Sequence, residues 1–180
     1  MKAALVIVDM QEVLVSLVWR GAELAGRIAA LARAAREAGA PVVALRQVGP
    51  AGTTFDPAAP GTGLSPLLYL EPTDVVMEKT ATDAFYGTDL AARLAEWGVD
   101  TVVLAGVASD YCVDATARSS VSHGLDVVLV SDGHATAADG DPVAGLTAEQ
   151  VSDRHNRLLS TAIHPGGTVV LTSAADVVFR

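Results

Sequence analysis

Asp9 closes the apolar run ALVIVD, Glu78 and Lys79 close DVVMEK, and Cys112, the one cysteine of the chain, follows TVVLAG by six residues. An acid, a cation and a thiol thus recur at equivalent points of the pattern. A thiol with a reference pKa of about 8.5 is mostly protonated at neutral pH, so its attack on a carbonyl carbon requires a base or a lowered pKa. Each residue also has an ordinary reading. A lone cysteine is most often a small buried hydrophobe, and a charge at the end of an apolar run is usually emerging into solvent. Asp9 follows five apolar residues and precedes Met10, which predicts partial burial instead.

The elements that must position these side chains are short apolar runs alternating with helical patterns. The runs are 4–9, 42–47, 74–79, 101–106, 126–131 and 168–173, each near-continuous in Val, Leu and Ile. Continuous apolar character is expected of strands buried on both faces of a helix-covered parallel sheet. Between them, 21–38 is rich in Ala, Leu, Arg and Glu, and Gly39 with Pro41 forms its stop signal. Leu90, Leu94 and Trp97 share a helical face, with Thr88 as N-cap and Gly98 as stop. Thr147 and Gln150 form a capping box before a helix running to about 162. The alternation predicts an α/β fold of three layers, α/β/α, around a doubly wound, six-stranded parallel sheet. Such sheets hold their sites at the carboxyl ends of the strands, where Asp9, Lys79 and Cys112 fall.

Two segments break the rhythm. Residues 48–72 hold five of the eight prolines and four of the sixteen glycines, a length expected of a lid, a binding loop or an oligomer contact. The second is DGHATAADGDPVAG, 132–145. With 180 residues, 51% of them hydrophobic, one domain spanning 1–180 is expected. A single cysteine excludes an intrachain disulfide and points to a cytoplasmic protein. The apolar run before Asp9 is too short for a signal or membrane segment. A net charge of −9 argues against nucleic acid or an anionic membrane as partner, leaving small molecules or proteins. No G-x-G-x-x-G or P-loop pattern follows a strand, which weakens a nucleotide-binding reading.

VIVDMQ, EKTATDAFYGTDL and LAGVASDYCVDATARSSVSHGLDVVLVSDGHAT resemble, in order and separation, the signature regions of isochorismatase-like cysteine hydrolases. The resemblance runs from Ala3 to at least Thr136. It implies strand order 3-2-1-4-5-6 and a catalytic triad of Asp9, Lys79 and Cys112. It also implies a cis peptide between Val107 and Ala108, with the N–H groups of Ala108 and Cys112 facing an oxyanion. In that arrangement Asp9 takes the thiol proton, and Lys79 and the start of a helix near Asp110 favour the anionic partners. The order sets Lys79 two strands from Asp9, a crossing of roughly 10 Å. The family resemblance and the apolar content also favour a homodimer or larger homo-oligomer.

Departures from relatives bear on the substrate. Metal-binding members carry an Asp-x-His-x-x-His arrangement after the second strand, whereas LRQVGPAGTTFD has no histidine, so no metal and no cofactor are assigned. His123, His134, His155 and His164 stand at unrelated spacings, and Asp132, Asp139 and Asp141 read as turn formers. Val13 stands where relatives commonly have a ring-stacking phenylalanine. Gln11, Trp19, Phe55, Phe85, Tyr86 and Tyr111 are the candidates for the substrate pocket, and Arg46 is expected to bond loop carbonyls. The implied reaction is metal-independent hydrolysis of a C–N bond, amide, carbamoyl or lactam, in a small molecule through a cysteine thioester. The alternatives are nicotinamidase-type hydrolysis, vinyl-ether hydrolysis, which needs no cysteine, and a non-catalytic binding relative of the fold.

Overall fold

The computed structural model describes residues 2–179. Its six strands are β1 (Ala3–Val8), β2 (Val42–Gln47), β3 (Val75–Lys79), β4 (Thr101–Val107), β5 (Asp126–Ala135) and β6 (Val169–Thr172). The helices are α1 (Glu12–Leu17), α2 (Gly21–Glu37), α3 (Leu90–Glu96), α4 (Asp114–Ser122) and α5 (Ala148–Thr161). All strand pairs are parallel and the order is β3-β2-β1-β4-β5-β6, as the resemblance implies.

Period-two alternation along β1 divides the core. Ala3, Leu5 and Ile7 pack with Leu24, Ile28 and Leu31 of α2 on one face. Ala4, Val6 and Val8 turn to the other, with Leu90 and Leu94 of α3, Val121 of α4 and Leu159 of α5. Both faces of the central strands β1 and β4 are buried throughout. The edge strands differ from the expectation of full burial. β3 alternates, leaving Val76 exposed, and Val170 and Leu171 of β6 are exposed as well. Local apolar content does not reveal which strand will lie at an edge.

The helix signals translate directly. α2 and α3 end at left-handed Gly39 and Gly98, with Ala40 N–H donating to Ala35 O and Val99 N–H to Leu94 O. The Thr147–Gln150 capping box is present in both directions. Thr88 Oγ1 accepts from Leu90 N–H, although Asp89 directly precedes α3. The helix expected near Asp110 begins as one wide, π-type turn, Ser109–Val113, that continues into α4. α1 is an addition to the expected elements. β5 is longer than predicted because, beyond an irregularity between Leu104 and Gly106, it rejoins β4 through His134 and Ala135. Gly106 has φ +132°, and a Cβ there would lie 2.1 Å from Val8 O, so only glycine lets β1 and β4 close at this point.

Candidate active site

Asp9 is the first residue beyond β1, and its backbone has φ 49°, a left-handed conformation that aspartate tolerates better than most residues. Its N–H donates to Leu45 O of β2 and its carbonyl accepts from Gln11 N–H, a tight turn at the carboxyl end of β1. Lys79, last in β3, is in register with Gln47 of β2. Its side chain is fully buried and spans the end of β2 to reach Asp9, with Nζ 2.7 Å from Oδ2. The same ammonium donates to Gln47 Oε1 (2.6 Å), Ala81 O (3.0 Å) and Cys112 Sγ (3.3 Å). The two-strand crossing is thus made, with the Gln47 carboxamide as an intermediate support.

Cys112 sits within the wide turn that follows β4, and the peptide between Val107 and Ala108 is cis. The carboxyl end of β5 braces this turn. Ser109 Oγ lies 2.7 Å from His134 Nδ1, His134 Nε2 lies 3.0 Å from Asn156 Oδ1, and Asn156 Nδ2 donates to Ser131 O. Because the Asn156 amide is already donating, its Oδ1 accepts from His134 Nε2–H, and Nδ1 accepts from the Ser109 hydroxyl. Burial lowers the His134 pKa, consistent with this neutral form. Two residues on, Thr136 Oγ1 donates to Asp110 Oδ1 at 2.6 Å.

Burial dominates the electrostatics. It raises the Asp9 pKa above the usual carboxylate value, against the opposing charge and hydrogen bond of Lys79. The Cys112 thiol is pushed up to about 12, first by burial and then by the Asp9 charge, while Lys79 pulls it down. Asp9 Oδ1 is buried and has no hydrogen-bond partner among the described residues. The arrangement therefore holds a protonated thiol beside a carboxylate of raised basicity.

A cavity of about 370 Å3 opens over these groups. Its lining is Asp9, Cys112, Gln47, Val107, Ala108, Tyr111, Leu14, Phe55, Thr80 and Thr82. Of the aromatic candidates, Tyr111 and Phe55 are here; the others are elsewhere. Gln11 is fully buried, and its carboxamide bonds Thr62 O and the Gln47 backbone, so it holds the 48–72 loop. Trp19 lines a separate cavity with Arg27 and Asp132, with the Arg20 guanidinium 5.5 Å from its ring. Phe85 turns inward to stack on His123 at 4.4 Å, and Tyr86 faces solvent. Val13 packs beneath Gly61, and its neighbour Leu14 points to the cavity.

Sequence reasoning missed Leu14, Gln47, Thr80 and Thr82. Gln47 ends β2, so attention to neutral as well as charged strand ends finds it; Thr80 and Thr82 lie one and three residues after Lys79. Arg46 behaves as expected, donating to Thr62 O and Pro57 O and pairing with Glu78. With Gly61 and Gly63 carbonyls accepting from Val13 and Glu12 N–H, these bonds fold the long loop over its own site. No three His, Cys, Asp or Glu side chains gather as a metal-binding group among the described residues. Nor is any described helix long and apolar enough to cross a membrane.

The chain is 40% identical over 136 residues to a streptothricin hydrolase of Streptomyces noursei, covering 74% of this chain and 49% of that protein. It spans about half the length of the streptothricin hydrolases it matches. Among solved structures, an isochorismatase from Pseudomonas putida KT2440 superposes with TM-score 0.84 at 28% identity, over 96% of this chain and 88% of that one. An N-carbamoylsarcosine amidase from Thermoplasma acidophilum gives TM-score 0.78 at 28% identity, over 98% and 99%. The family model for the isochorismatase domain matches residues 3–173, and with that match across nearly its whole length the chain belongs to the isochorismatase family.

Proposed function

We propose that the protein is a cysteine amidohydrolase that cleaves a C–N bond of a small molecule without a metal. The observation that carries this reading is the contact of Lys79 Nζ with both Asp9 and Cys112. Relatives named streptothricin hydrolase and N-carbamoylsarcosine amidase support C–N chemistry of this kind.

With the thiol raised to about 12, a standing thiolate is not the resting form, so proton transfer accompanies attack. As Cys112 Sγ bonds the substrate carbonyl carbon, Asp9 takes the thiol proton. The N–H groups of Ala108 and Cys112 receive the developing oxyanion, and the Lys79 charge offsets the extra negative charge beside Asp9 and Cys112. Collapse breaks the C–N bond, Asp9 gives its proton to the leaving nitrogen, and a thioester remains. Water then attacks that carbon while Asp9 takes its proton; the C–S bond breaks, the acid leaves, and the sulfur regains the proton.

Vinyl-ether hydrolysis gives no role to a thiol in contact with a buried lysine, which favours the amide reading. From the exposed apolar side chains of Val76, Val170 and Ile163 we infer that the active form is a homodimer or larger assembly. A panel of amides, ureas and lactams, assayed for ammonia, amine or acid release, tests the reaction. Turnover of at least one member is expected, with a loss of 1000-fold or more in Cys112→Ala. Turnover that survives in Cys112→Ala would overturn the assignment.

A further inference from the structure

Resting on that reading, we infer that the cavity selects an uncharged, apolar or aromatic acyl group and rejects substrates carrying a carboxylate there. Its apolar and aromatic lining is Leu14, Phe55, Val107 and Tyr111, and apart from the reacting groups and Gln47 its polar lining is the neutral pair Thr80 and Thr82. Among the described residues, no Arg, Lys or His lines it, and Asp9 is its one charged lining group. The cations nearest in the chain are already committed. Lys79 is fully buried, with three N–H donors shared among Asp9, Gln47 Oε1, Ala81 O and Cys112. The Arg46 guanidinium holds the loop carbonyls of Thr62 and Pro57 and pairs with Glu78. A carboxylate entering the cavity therefore loses water, gains no counter-charge and approaches Asp9. An aromatic or aliphatic group instead meets Phe55 and Tyr111, which offer rings to stack on.

The single cysteine makes this testable before any substrate is known. Cys112 is alkylated with iodoacetamide, iodoacetate and N-benzyliodoacetamide; sulfur displaces iodide, a C–S bond replaces C–I, and the thiol proton passes to solvent. Rates are followed by intact mass in 0.5 M salt, which screens the net charge of the chain. The same protein unfolded in urea, with the same thiol and the same net charge, is the reference. The expected result is a folded-state ratio of iodoacetamide to iodoacetate at least 30-fold above that of the unfolded chain, with the benzyl reagent faster than iodoacetamide. Leu14→Arg, which sets a cation in the wall, is expected to bring iodoacetate within about threefold of iodoacetamide. A folded-state ratio equal to or below the unfolded one overturns the inference, as does failure of every reagent to label the folded protein. The hydrolase reading is judged separately, by loss of turnover in Cys112→Ala, so either can fall while the other stands.

Discussion

Asp9 and Lys79 are almost fully buried, and each is the main electrostatic support of the other. Lys79→Met leaves a buried carboxylate without its partner, so unfolding free energy is expected to fall by about 3–5 kcal/mol. Adding Asp9→Asn should recover most of that loss. Urea denaturation of the single and double variants measures both, and a loss below about 1 kcal/mol would show that the pair is not coupled as described. Cys112 adds an alkaline signature. Its folded-state pKa is raised from 9.0 to about 12, so the folded chain keeps a proton that the unfolded chain releases in this window. Stability should therefore decline as pH rises from about 9 toward 12, and Cys112→Ala should flatten that decline in urea midpoints taken between pH 8.5 and 10.5. Asp9, Lys79 and Cys112 were legible because strand ends and local motifs mark them. Phe85 and Tyr86 were misleading: they are close to Lys79 in sequence, but one stacks on His123 and the other faces water.

At the scale of elements, the end of β5 does more than extend the sheet. His134 and Thr136 grip Ser109 and Asp110, the residues just ahead of Cys112, so β5 and α5 fix the turn that carries the thiol. This depends on neutral His134, whose pKa burial lowers from 6.5. Below about pH 6.5 the unfolded chain takes up a proton that the folded one refuses, so stability is lost as pH falls. The drop in urea midpoint between pH 7 and 5 should shrink in His134→Gln; an unchanged drop would mean that His134 does not titrate in this way. None of this network was legible, because it joins a turn, a strand end and a helix through bonds distant in sequence. The walls of the cavity were hidden for the same reason. Phe55 reaches the site because Gln11, Arg46 and the N–H groups of Glu12 and Val13 fasten the 48–72 loop by its carbonyls. By contrast, the strands and capped helices depend on local periodicity and stop signals, and those could be read directly.

For the whole molecule, the strand alternation determined the layers, while the edges of the sheet were left open by it. Val76 on β3, and Val170 and Leu171 on β6, are as apolar as the central strands yet exposed, since only the order of strands decides what lies outermost. Leu17, Val143 and Ile163 add exposed apolar surface outside the sheet. Such surface favours self-association. Sedimentation equilibrium is expected to give at least twice the monomer mass, and a monomer at tens of micromolar would contradict that expectation. The central claim is that Cys112 carries the acyl group through the reaction. Its most direct test is intact-mass analysis of the protein quenched during turnover of a substrate found in the amide panel, followed by peptide mapping. The predicted result is a mass increase equal to the acyl portion, on the Cys112 peptide and absent from Cys112→Ala. Steady turnover in Cys112→Ala, or an acyl group mapped to another residue, would contradict it.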